Sequence, residues 1–417
     1  MVRPAHDDNR RRNTFAFMSI ILSDAGLHKH LLPLTFTRPV GQLRPGVLRL
    51  AEGWYVRSGI AVGYRTEGYL AGVFPLPSEP ADFEVNAALF PTDDLVAAVM
   101  DLHPGEVLVH EGKSLAFGVQ GQAIPTESDW TTPPLYLKQV AFTGEVIRFE
   151  RPWHLFQHCG KAIEHDFKLL TEGRRSQLLS SLNTVVGDPN LIFLEEGAVV
   201  EACVLNTKNG PIHIGKGAEM MEGCLVRGPF ALGDHAQLKM GAKIYGPSSF
   251  GPECRVGGEV NNSVLTGFSN KGHDGFLGNS VIGEWCNLGA DTNNSNLKNT
   301  YGEVKVFSYA ANDQVDTGLQ FCGLIMGDHA KSGINTMFNT GTVVGVAANV
   351  FGGGFPPKHI PGFAWGGADG LEVYDIERAL TTARRVMERR HVPLTAQDEA
   401  ILRHVFASAQ AARKVVG

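Results

Sequence analysis

One histidine is the clearest candidate for chemistry in this sequence. His273 lies between Gly272 and Asp274 in the stretch SNKGHDGFLGNSVIGEWCNLGAD, residues 269–291. An unperturbed imidazole changes its charge near neutral pH, so it can accept a proton from a substrate there. Asparagines follow at 287 and 296, and an asparagine taken alone is more typical of a turn or a ladder. The segment therefore contains one candidate general base with amides after it.

Cationic and acidic side chains near the start of the chain form a second candidate site. Arg38 and Arg44 lie in LTFTRPVGQLRPGVLRL, and Asp24 lies before them in SDAG. Phosphoryl chemistry needs cations that neutralise developing charge and usually magnesium held by a carboxylate. A guanidinium can bind phosphate through two hydrogen bonds. Arginines that brace a loop are the alternative interpretation of the same residues.

Composition limits the classes of protein to which the chain can belong. Its 417 residues suffice for about two to three compact units with their own cores. The formal net charge of −6 favours neither nucleic acid nor an anionic membrane as a partner. No apolar run approaches the ~20 residues that cross a bilayer, and no signal peptide is evident. The six cysteines show no C-x-x-C pair, so we expect reduced thiols and a cytoplasmic protein.

A bulky apolar residue recurs at every sixth position between 214 and 256. The eight positions are Ile214, Met220, Val226, Leu232, Leu238, Ile244, Phe250 and Val256. Glycine follows four of them, and a period of six fits neither a helix nor a plain strand alternation. Each repeat would bury one side chain and then bend, so that successive repeats stack into a solenoid.

The six-residue pattern continues after 256 with a changed phase. It recurs at Phe276, Ile282 and Leu288, and again from Met326 to Val350, two residues out of phase each time. We interpret each shift as an insertion. The first insertion would bracket His273 and let a loop present its imidazole. The second would contain TNNSNLKNTYGEVKVFSY.

The remaining composition changes suggest domain boundaries. Residues 1–17 predict a disordered lead-in, and residues 18–151 predict an α/β domain that includes a helix capped by Thr92. Residues 152–182 predict a helical linker, and residues 183–362 contain the repeats. Residues 363–417 predict a C-terminal helical segment that would cover the last repeat.

The repeats resemble the left-handed parallel β-helix of hexapeptide acyltransferases. Within that class, GHDGFLGNSVIGEWCNLGADTNNSN is similar to the acetyltransferase segment of the bifunctional enzymes that make UDP-N-acetylglucosamine. The whole chain resembles more closely an alternative, mainly Bacteroidetes-type sugar nucleotidyltransferase form of that family, through LLPLTFTRPV, GPFALG, KMGAKIYG and TGLQFCGLIMGDH. This implies an α/β nucleotidyltransferase-like N-terminal domain, then a left-handed parallel β-helix and C-terminal helices.

The resemblance also implies roles for residues of the β-helix. His273 takes the position of the general base that removes a proton from the sugar amine. The residues implied to bind the sugar phosphate are Lys243, Phe276 and Asn287. The residues implied to bind acetyl-CoA are Ala290, Asn296 and Leu297. Because Phe276 and Leu297 stand where the family has tyrosines, a different amino sugar phosphate stays open as the substrate.

The N-terminal domain resembles the family in a degenerate form of its Gly-rich nucleotide-binding motif. Arg44 lies near the position where the family motif has a lysine. The residues implied to bind nucleotide are Arg38, Arg44 and Asn86. Asn86 stands where the family has a metal-binding aspartate, and an amide is a weaker magnesium ligand than a carboxylate. Asp24 and Asp166 are the candidate magnesium ligands in its place.

The implied function is acetyl-CoA-dependent N-acetylation of an amino sugar 1-phosphate, with glucosamine 1-phosphate as the leading candidate. It would be coupled to nucleotidyl transfer from a nucleoside triphosphate with Mg²⁺, which gives a nucleotide sugar such as UDP-N-acetylglucosamine. The family assembles as a homotrimer, so we expect one here. Two alternatives stay open: a sugar-1-phosphate nucleotidyltransferase with a structural β-helix, and a non-catalytic ligand-binding regulatory protein.

Overall fold

The structure is a computed structural model that describes residues 18–119 and 125–416. The chain divides into two compact units. The first contains the residues up to His28 together with Arg38–Leu43 and Leu48–Phe149. The second contains Lys29–Thr37, Arg44–Val47 and the residues from Glu150 onward. The lead-in predicted at residues 1–17 lies outside the described residues.

The first unit contains a mixed six-stranded sheet with the order β2-β1-β3-β5-β4-β6. Its strands are β1 Ser19–Ser23, β2 Ala61–Arg65, β3 Phe83–Asn86, β4 Glu106–His110, β5 Lys113–Gly118 and β6 Lys138–Ala141. Its described helices are α1 Leu50–Ser58, α2 Asp93–Met100 and α3 Glu127–Thr131. This is the α/β architecture that the sequence predicts.

Strand β1 is the second strand of this sheet and runs parallel to both of its neighbours, β2 and β3. All five of its residues are buried, as is usual for a strand with parallel partners on both sides. The predicted cap of α2 is confirmed, because Oγ1 of Thr92 accepts a hydrogen bond from the N–H of Leu95 at 3.3 Å. Asp93 and Asp94 follow in the first turn, where negative charge stabilises a helix.

The second unit is a solenoid of short strands. The first of them are β7 Thr184–Val186, β8 Ile192–Leu194, β9 Val199–Val200, β10 Val204–Asn206, β11 Ile212–Ile214, β12 Glu219–Met220, β13 Leu225–Arg227, β14 Phe230–Leu232, β15 Gln237–Leu238, β16 Lys243–Tyr245, β17 Ser248–Phe250, β18 Arg255–Val256, β19 Glu259–Asn261, β20 Val264–Gly267 and β21 Asn270–Lys271. They continue with β22 Phe276–Gly278, β23 Val281–Glu284, β24 Asn287–Leu288, β25 Asn293–Asn294, β26 Lys305–Ser308, β27 Asp313–Asp316, β28 Ile325–Met326, β29 Lys331–Ser332, β30 Met337–Phe338, β31 Val343–Val344, β32 Asn349–Val350, β33 His359–Ile360, β34 Ala364–Gly367 and β35 Gly370–Val373.

Successive strands of the solenoid contribute in turn to three faces. Face 1 has the order β7-β10-β13-β16-β19-β22, face 2 has β8-β11-β14-β17-β20-β23-β28-β31-β33, and face 3 has β9-β12-β15-β18-β21-β24-β29-β32-β34-β35. The eight apolar positions of the six-residue pattern, from Ile214 to Val256, are all buried with 2 % exposure or less. The predicted parallel β-solenoid is thus confirmed, and its left-handed winding stays a prediction.

The first phase shift comes from shortened coils. Phe230 pairs with Ser248, which lies eighteen residues later in a full coil. In the next coil Ser249 pairs with Val264, only fifteen residues later. The prediction that His273 lies in an insertion is therefore wrong, because residues have been lost before it and none gained. The turn that contains His273 is itself a four-residue corner of the solenoid, between β21 and β22.

The predicted inward position at 276 is wrong by one residue for the same reason. Phe276 is only half-buried, whereas Leu277 is buried and pairs with Val260. Only two residues, Gly257 and Gly258, connect β18 to β19. The equivalent corner of the preceding coil, between β15 and β16, has four residues. A third residue is lost in the next turn, because Val260 and Leu265 are five residues apart whereas their partners Ile244 and Phe250 are six apart. These losses shift the later inward positions relative to the six-residue count.

The second phase shift is the insertion that the sequence predicts. Val281 pairs with Ile325, forty-four residues later, and the extra residues contain the antiparallel hairpin of β26 and β27. The first residues of TNNSNLKNTYGEVKVFSY still belong to the solenoid, because they form β25.

Three helices complete the described part of the second unit: α4 His154–Thr171, α5 Ile376–Glu388 and α6 Ala396–Val416. Helix α4 packs against β14, β17 and β20 of face 2. It ends at Thr171, so the helical linker predicted over 152–182 is helical only in its first part. Gly173, with a φ of 71°, lets the chain leave the helix. No helix in the described ranges is long and apolar enough to span a membrane.

The C-terminal segment differs from the predicted helical cover in two ways. It begins with the hairpin of β34 and β35, which extends face 3. The rings of Phe363 and Phe406 meet edge-on at 5.2 Å, so α6 does pack on the last coil. However, Nη2 of Arg390 donates to Oδ1 of Asn270 at 3.1 Å. Asn270 lies in β21, which is four strands from β34 in face 3. The segment therefore runs along the solenoid as well as over its end.

Two short segments of the predicted N-terminal domain belong to the second unit. Oγ1 of Thr37 donates to Oδ2 of Asp328 at 2.6 Å. Oγ of Ser249 donates to the carbonyl of Gly46 at 2.7 Å. The motif LLPLTFTRPVGQLRPGVLRL thus alternates between the two units, whereas the predicted boundaries place all of it in one domain at residues 18–151. Hydrogen bonds to distant coils, which chain order does not reveal, cause this difference.

Candidate functional site

His273 lies at the corner where the chain passes from face 3 to face 1, between β21 and β22. Its side chain is exposed. The next coil contacts the turn through the N–H of Asp291, which donates to the carbonyl of Asp274 at 3.0 Å. On the opposite side Gly258 is so close that a Cβ there would lie 2.9 Å from the carbonyl oxygen of His273. The imidazole is thus open to solvent on a turn that both neighbouring coils hold.

The turn at His273 departs from the regular geometry of this corner. In regular four-residue corners the third residue has a positive φ, as at Gly241 (69°) and Asn335 (59°). Its N–H donates to the second residue of the preceding corner, as from Asn335 to Ala290 at 2.9 Å. Around His273 the positive φ comes one residue later, at Gly275 (119°). No main-chain N–H of the described residues donates to the carbonyl of His273.

Lys271 supplies the missing hydrogen bond. Its Nζ donates to the carbonyl oxygen of His273 at 2.6 Å. The side chain is 2 % exposed and points into the solenoid, because Lys271 pairs with the inward residue Val256. Burial lowers the pKa of Lys271 to about 8, although the nearby Asp274 and Asp291 act in the opposite direction. Sequence reasoning missed Lys271 because the shortened corner hid its inward position.

Two of the residues predicted to bind the sugar phosphate share face 1. Lys243 pairs with Glu259, and Glu259 pairs with Phe276, so the three form one outward line. The ammonium of Lys243 is exposed and has no hydrogen-bond or ion-pair partner among the described residues. The ring of Phe276 covers Gly278, where a Cβ would lie 2.5 Å from Cζ of the ring. The carboxylate of Glu259 between them was not foreseen.

Asn287, the third such residue, lies on face 3. It pairs with Asn270 in the coil of His273 and with Lys331 in the following coil, and it is exposed. The corner of His273 therefore separates Asn287 from the line of Lys243 and Phe276. A ligand that contacts all three has to bend around that corner.

Asparagine side chains join β22 to the next coil in place of main-chain hydrogen bonds. Oδ1 of Asn293 accepts from the N–H of Phe276 at 2.8 Å. Oδ1 of Asn294 accepts from the N–H of Gly278 at 2.9 Å, and its Nδ2 donates to the carbonyl of Gly278 at 3.0 Å. These amides act as spacers, so β25 pairs with β30 and not with β22. Both side chains are occupied in structural bonds.

The residues predicted to bind acetyl-CoA lie in the coil after His273. Ala290 is half-buried and lies one residue before Asp291 in the corner. Nδ2 of Asn296 donates to Oδ1 of Asn279 at 2.8 Å. Leu297 forms an antiparallel bridge with Phe321, which closes the base of the insertion. Their part in binding the coenzyme stays a prediction.

The candidate nucleotide site of the first unit lies at the carboxyl ends of parallel strands. Ser23, the last residue of β1, pairs with Arg65 at the end of β2 and with Asn86 at the end of β3. Ligands of open α/β sheets bind outside such strand ends. Oδ1 of Asn86 already accepts a hydrogen bond from the N–H of Ala88 at 2.9 Å. Asn86 is buried at 6 % exposure.

Asp24 directly follows β1, and both of its carboxylate oxygens accept hydrogen bonds. Oδ1 accepts from the N–H of Val40 at 2.8 Å, and Oδ2 accepts from Oγ1 of Thr66 at 2.6 Å. Burial raises the pKa of Asp24 to about 7, although both hydrogen bonds act to lower it. The carboxyl group therefore holds the segment at Val40 to the end of the sheet.

A buried ion pair beside this site was missed in the sequence. Arg65 donates through Nε (2.8 Å) and Nη2 (3.1 Å) to the carboxylate of Glu84, which is 1 % exposed. Burial raises the pKa of Glu84, and the bonds from Arg65 oppose that rise. A glutamate inside the short apolar strand FEVN was the available signal, because a buried carboxylate needs a partner.

The other predicted nucleotide and metal residues are buried and belong to different units. Arg38 is in the first unit, whereas Arg44 and Asp166 are in the second. Nη1 of Arg44 donates to the carbonyl of Val47 within its own loop. A Cβ at Gly46 would lie 2.8 Å from Oδ2 of Asp166, so this carboxylate faces the same loop. The loop-bracing interpretation of Arg44 therefore has a specific contact.

The metal prediction finds little support in the geometry. Within the described ranges, no group of three or more His, Cys, Asp or Glu side chains could hold a metal ion. Magnesium is usually held by one or two carboxylates together with substrate phosphates. The buried carboxylate of Asp24 is at the right strand end, but its oxygens are engaged. The residues do not form a ready magnesium site, and Asp24 and Asp166 stay predictions.

The six cysteines are free and buried.

Comparison with known proteins identifies the N-terminal domain. Residues 20–175 match the family model described as sugar nucleotidyl transferase. This range contains the sheet of the first unit and ends just after α4. The chain thus contains a sugar nucleotidyl transferase domain, as the resemblance predicted.

Curated relatives combine two activities in their names. A stretch of 95 residues is 34 % identical to the "Bifunctional sugar-1-phosphate nucleotidylyltransferase/acetyltransferase" of Sulfurisphaera tokodaii and covers 23 % of each chain. A stretch of 87 residues is 36 % identical to the "Bifunctional protein GlmU" of Methanocaldococcus jannaschii and covers 21 % of each chain. The matches thus span less than a quarter of these relatives. They confirm the predicted relationship to bifunctional transferases.

Solved structures include an Arabidopsis UDP-N-acetylglucosamine acyltransferase that is 14 % identical. The match covers 54 % of this chain and 95 % of that chain, with a TM-score of 0.19. The solenoid assignment depends on the strand pairing described above and not on this likeness.

Proposed function

We propose that this chain, whose residues 20–175 form a sugar nucleotidyl transferase domain, is a bifunctional transferase acting on sugar 1-phosphates. The solenoid would transfer the acetyl group of acetyl-CoA to an amino sugar 1-phosphate. The N-terminal domain would join the sugar 1-phosphate to a nucleotide. Glucosamine 1-phosphate is the leading substrate, and UDP-N-acetylglucosamine is the corresponding product. The observation that carries the proposal is the exposed imidazole of His273 on a turn held by both neighbouring coils.

His273 acts as the general base of acetyl transfer in this proposal. The sugar nitrogen attacks the thioester carbonyl carbon, and the imidazole accepts the proton that the nitrogen loses. The carbon–sulfur bond of the tetrahedral intermediate then breaks, and the imidazolium returns the proton to the departing thiolate. A neighbouring hydrogen-bond donor is needed for the oxyanion of that intermediate.

The outward line on face 1 supports the choice of an amino sugar phosphate. The unpaired ammonium of Lys243 attracts a phosphate, and the carboxylate of Glu259 attracts an amine. The ring of Phe276 offers an apolar surface to the sugar. Asn287 on face 3 would contact the substrate from across the corner. The acetyl-CoA would follow the next coil, past Ala290, Asn296 and Leu297.

The nucleotidyl transfer half of the proposal depends on the carboxyl ends of β1, β2 and β3. Arg38, Arg44 and Asn86 are the residues proposed for the nucleotide. Mg²⁺ is part of the proposal because nucleotidyl transfer generates charge on phosphate oxygens that a cation neutralises. A homotrimer, as the resemblance implies, also belongs to the proposal.

The acetyl transfer is tested by thiol release from acetyl-CoA with glucosamine 1-phosphate. His273→Asn should lower kcat by about 10²- to 10⁴-fold, the usual contribution of a general base. His235→Asn is the matched control, because His235 is another exposed corner histidine and its φ of 56° suits asparagine. Equal rates for wild type and His273→Asn would sink the proposal for the solenoid.

The nucleotidyl transfer is tested separately by pyrophosphate release. The protein is incubated with N-acetylglucosamine 1-phosphate, Mg²⁺ and each nucleoside triphosphate in turn, and the products are identified by mass. Release with UTP and formation of UDP-N-acetylglucosamine is the expected result. Pyrophosphate release without any thiol release would support the alternative of a structural β-helix. Absence of both reactions would support the non-catalytic alternative.

A further inference from the structure

We infer that Lys271 is a positioning residue for acetyl transfer, whose buried ammonium holds the turn that presents the imidazole of His273. The inference rests on the proposed role of His273 as general base. It concerns the main chain of the turn, because Nζ of Lys271 donates to the carbonyl oxygen of His273 at 2.6 Å.

The burial of Lys271 is unusual for its chemistry. Lysine is almost never fully buried without a paired charge. Lys271 takes an inward position of face 3, next to Val256 in the preceding coil and below Leu288 in the following one. No carboxylate of the described residues lies within ion-pair distance of its ammonium, and the carbonyl of His273 is its hydrogen-bond partner.

The geometry of the corner explains why a donor is needed from inside the solenoid. At a regular corner the carbonyl of the second residue is bonded by the next coil, as Glu222 is by the N–H of Gly241 at 3.0 Å. At the corner of His273 the N–H of the next coil, from Asp291, goes to Asp274. The carbonyl of His273 is thus one residue out of step with the ladder. Lys271 reaches it from the core.

An apolar residue would suit the space of Lys271 better than an ammonium does. Unbranched methionine has similar length and fills irregular gaps in cores. Burying a charge without a counter-charge destabilises a fold, so replacement by an apolar side chain of similar volume is often neutral or stabilising. A purely structural lysine would lower stability when removed. A lysine that positions the turn for catalysis should lower activity without lowering stability.

The experiment compares Lys271→Met with Lys239→Met in the full-length protein. Lys239 follows the inward residue of face 3 two coils earlier, and its Nζ donates to Oε1 of Gln237 at 2.8 Å and not to the His273 turn. We expect kcat of Lys271→Met to fall about 10- to 100-fold, the scale that a misplaced catalytic group costs. The KM for acetyl-CoA and the Tm should not worsen. Lys239→Met should match the wild type.

Hydrogen exchange of the peptide that contains residues 272–276 gives a second readout that does not depend on activity. Lys271→Met should speed exchange in this peptide at least about 10-fold, since one bond worth ~1.4 kcal/mol corresponds to a factor of ten. Lys239→Met should leave the peptide unchanged. Unchanged exchange and unchanged kcat in Lys271→Met would overturn the inference.

The outcomes separate this inference from the proposed function. If His273→Asn is inactive while Lys271→Met has wild-type kcat, the inference is wrong and the function stands. If the wild type releases no thiol, the proposed function fails, and the exchange of residues 272–276 still tests the hold of Lys271 on the turn. A clear loss of Tm in Lys271→Met, in parallel with lost activity, would assign Lys271 a structural role and contradict the inference.

Discussion

Gly258 lies directly against the main chain of His273. A Cβ at Gly258 would come within 2.9 Å of the carbonyl oxygen of His273 and of Cα of Asp274. The shortened corner of one coil thus forms the support for the candidate catalytic turn of the next. Main-chain contacts of this kind cannot relax as the end of a flexible side chain can, so a small change at Gly258 is expected to reach the imidazole.

Gly258→Ala should therefore lower acetyl transfer by at least about 10-fold, since displacement of a catalytic group by about an ångström can cost that much or more. Gly241→Ala is the control, because Gly241 has nearly the same φ (69° against 71°) and a Cβ added there would meet nothing within 4 Å. Both variants carry the left-handed penalty of about 1–2 kcal/mol. Thiol release and Tm are measured for both, and equal activity would contradict the crowding argument.

The buried ammonium of Lys271 should make stability rise with pH in alkaline solution. Its pKa is about 8 in the folded chain against an ordinary value of 10.5 for an exposed lysine, so between these values the unfolded chain binds more protons. Stability then increases from pH 8 to 10.5, by up to about 3 kcal/mol. Urea unfolding at both ends of this range should show the rise in wild type and Lys239→Met. Lys271→Met should not show this rise in the free energy of unfolding.

Asp24 should give the opposite dependence in the first unit at acid pH. Its folded pKa of about 7 lies above the ordinary value of 3.8 for an aspartate, so between these values the folded chain binds more protons. Stability therefore falls as pH rises from 3.8 to 7, by up to about 4 kcal/mol. The hydrogen exchange of β1 reports this local stability in the full-length protein. Asp24→Asn should flatten the dependence, and an identical slope in both proteins would show that the carboxyl is not buried as described.

Arg174 should anchor the chain after α4 to the first coil of the solenoid. Its Nη1 and Nη2 donate to the carboxylate of Glu195 at 2.8 and 2.6 Å. Hydrogen bonds from His213 and then Arg174 lower the pKa of Glu195 to about 2. Because the guanidinium is partly exposed, Arg174→Gln should cost only about 1 kcal/mol at neutral pH.

The contribution of Glu195 is fully present above pH 4.5 and is lost as the pH falls towards 2. Thermal unfolding at pH 7 and at pH 3 measures both effects of Arg174→Gln. Arg175→Gln is the neighbouring control, since Arg175 is exposed and has no ion-pair partner among the described residues. A Tm drop of the same size in both variants would rule out the specific pairing.

Local patterns in the sequence determined the solenoid. The six-residue spacing from Ile214 to Val256 marks side chains that all point into the core, because each coil there has the same length. The cap at Thr92 was equally readable, since the hydroxyl and the amide that it bonds are three residues apart. The candidate base His273 was visible from its flanking motif, and the structure leaves it exposed.

Only the tertiary structure decided which residues surround that base. Two glycines at 257 and 258 shorten one corner by two residues, and the turn from β19 to β20 is one residue shorter than the turn from β16 to β17. Together these losses move Leu277 and Lys271 to inward positions while Phe276 turns outward. Strand pairing between distant residues also decides on which face Asn287 lies. It likewise brings Arg65 next to Glu84. The physical reason is that a repeat specifies orientation within a coil, whereas the lengths of the corners fix the register between coils.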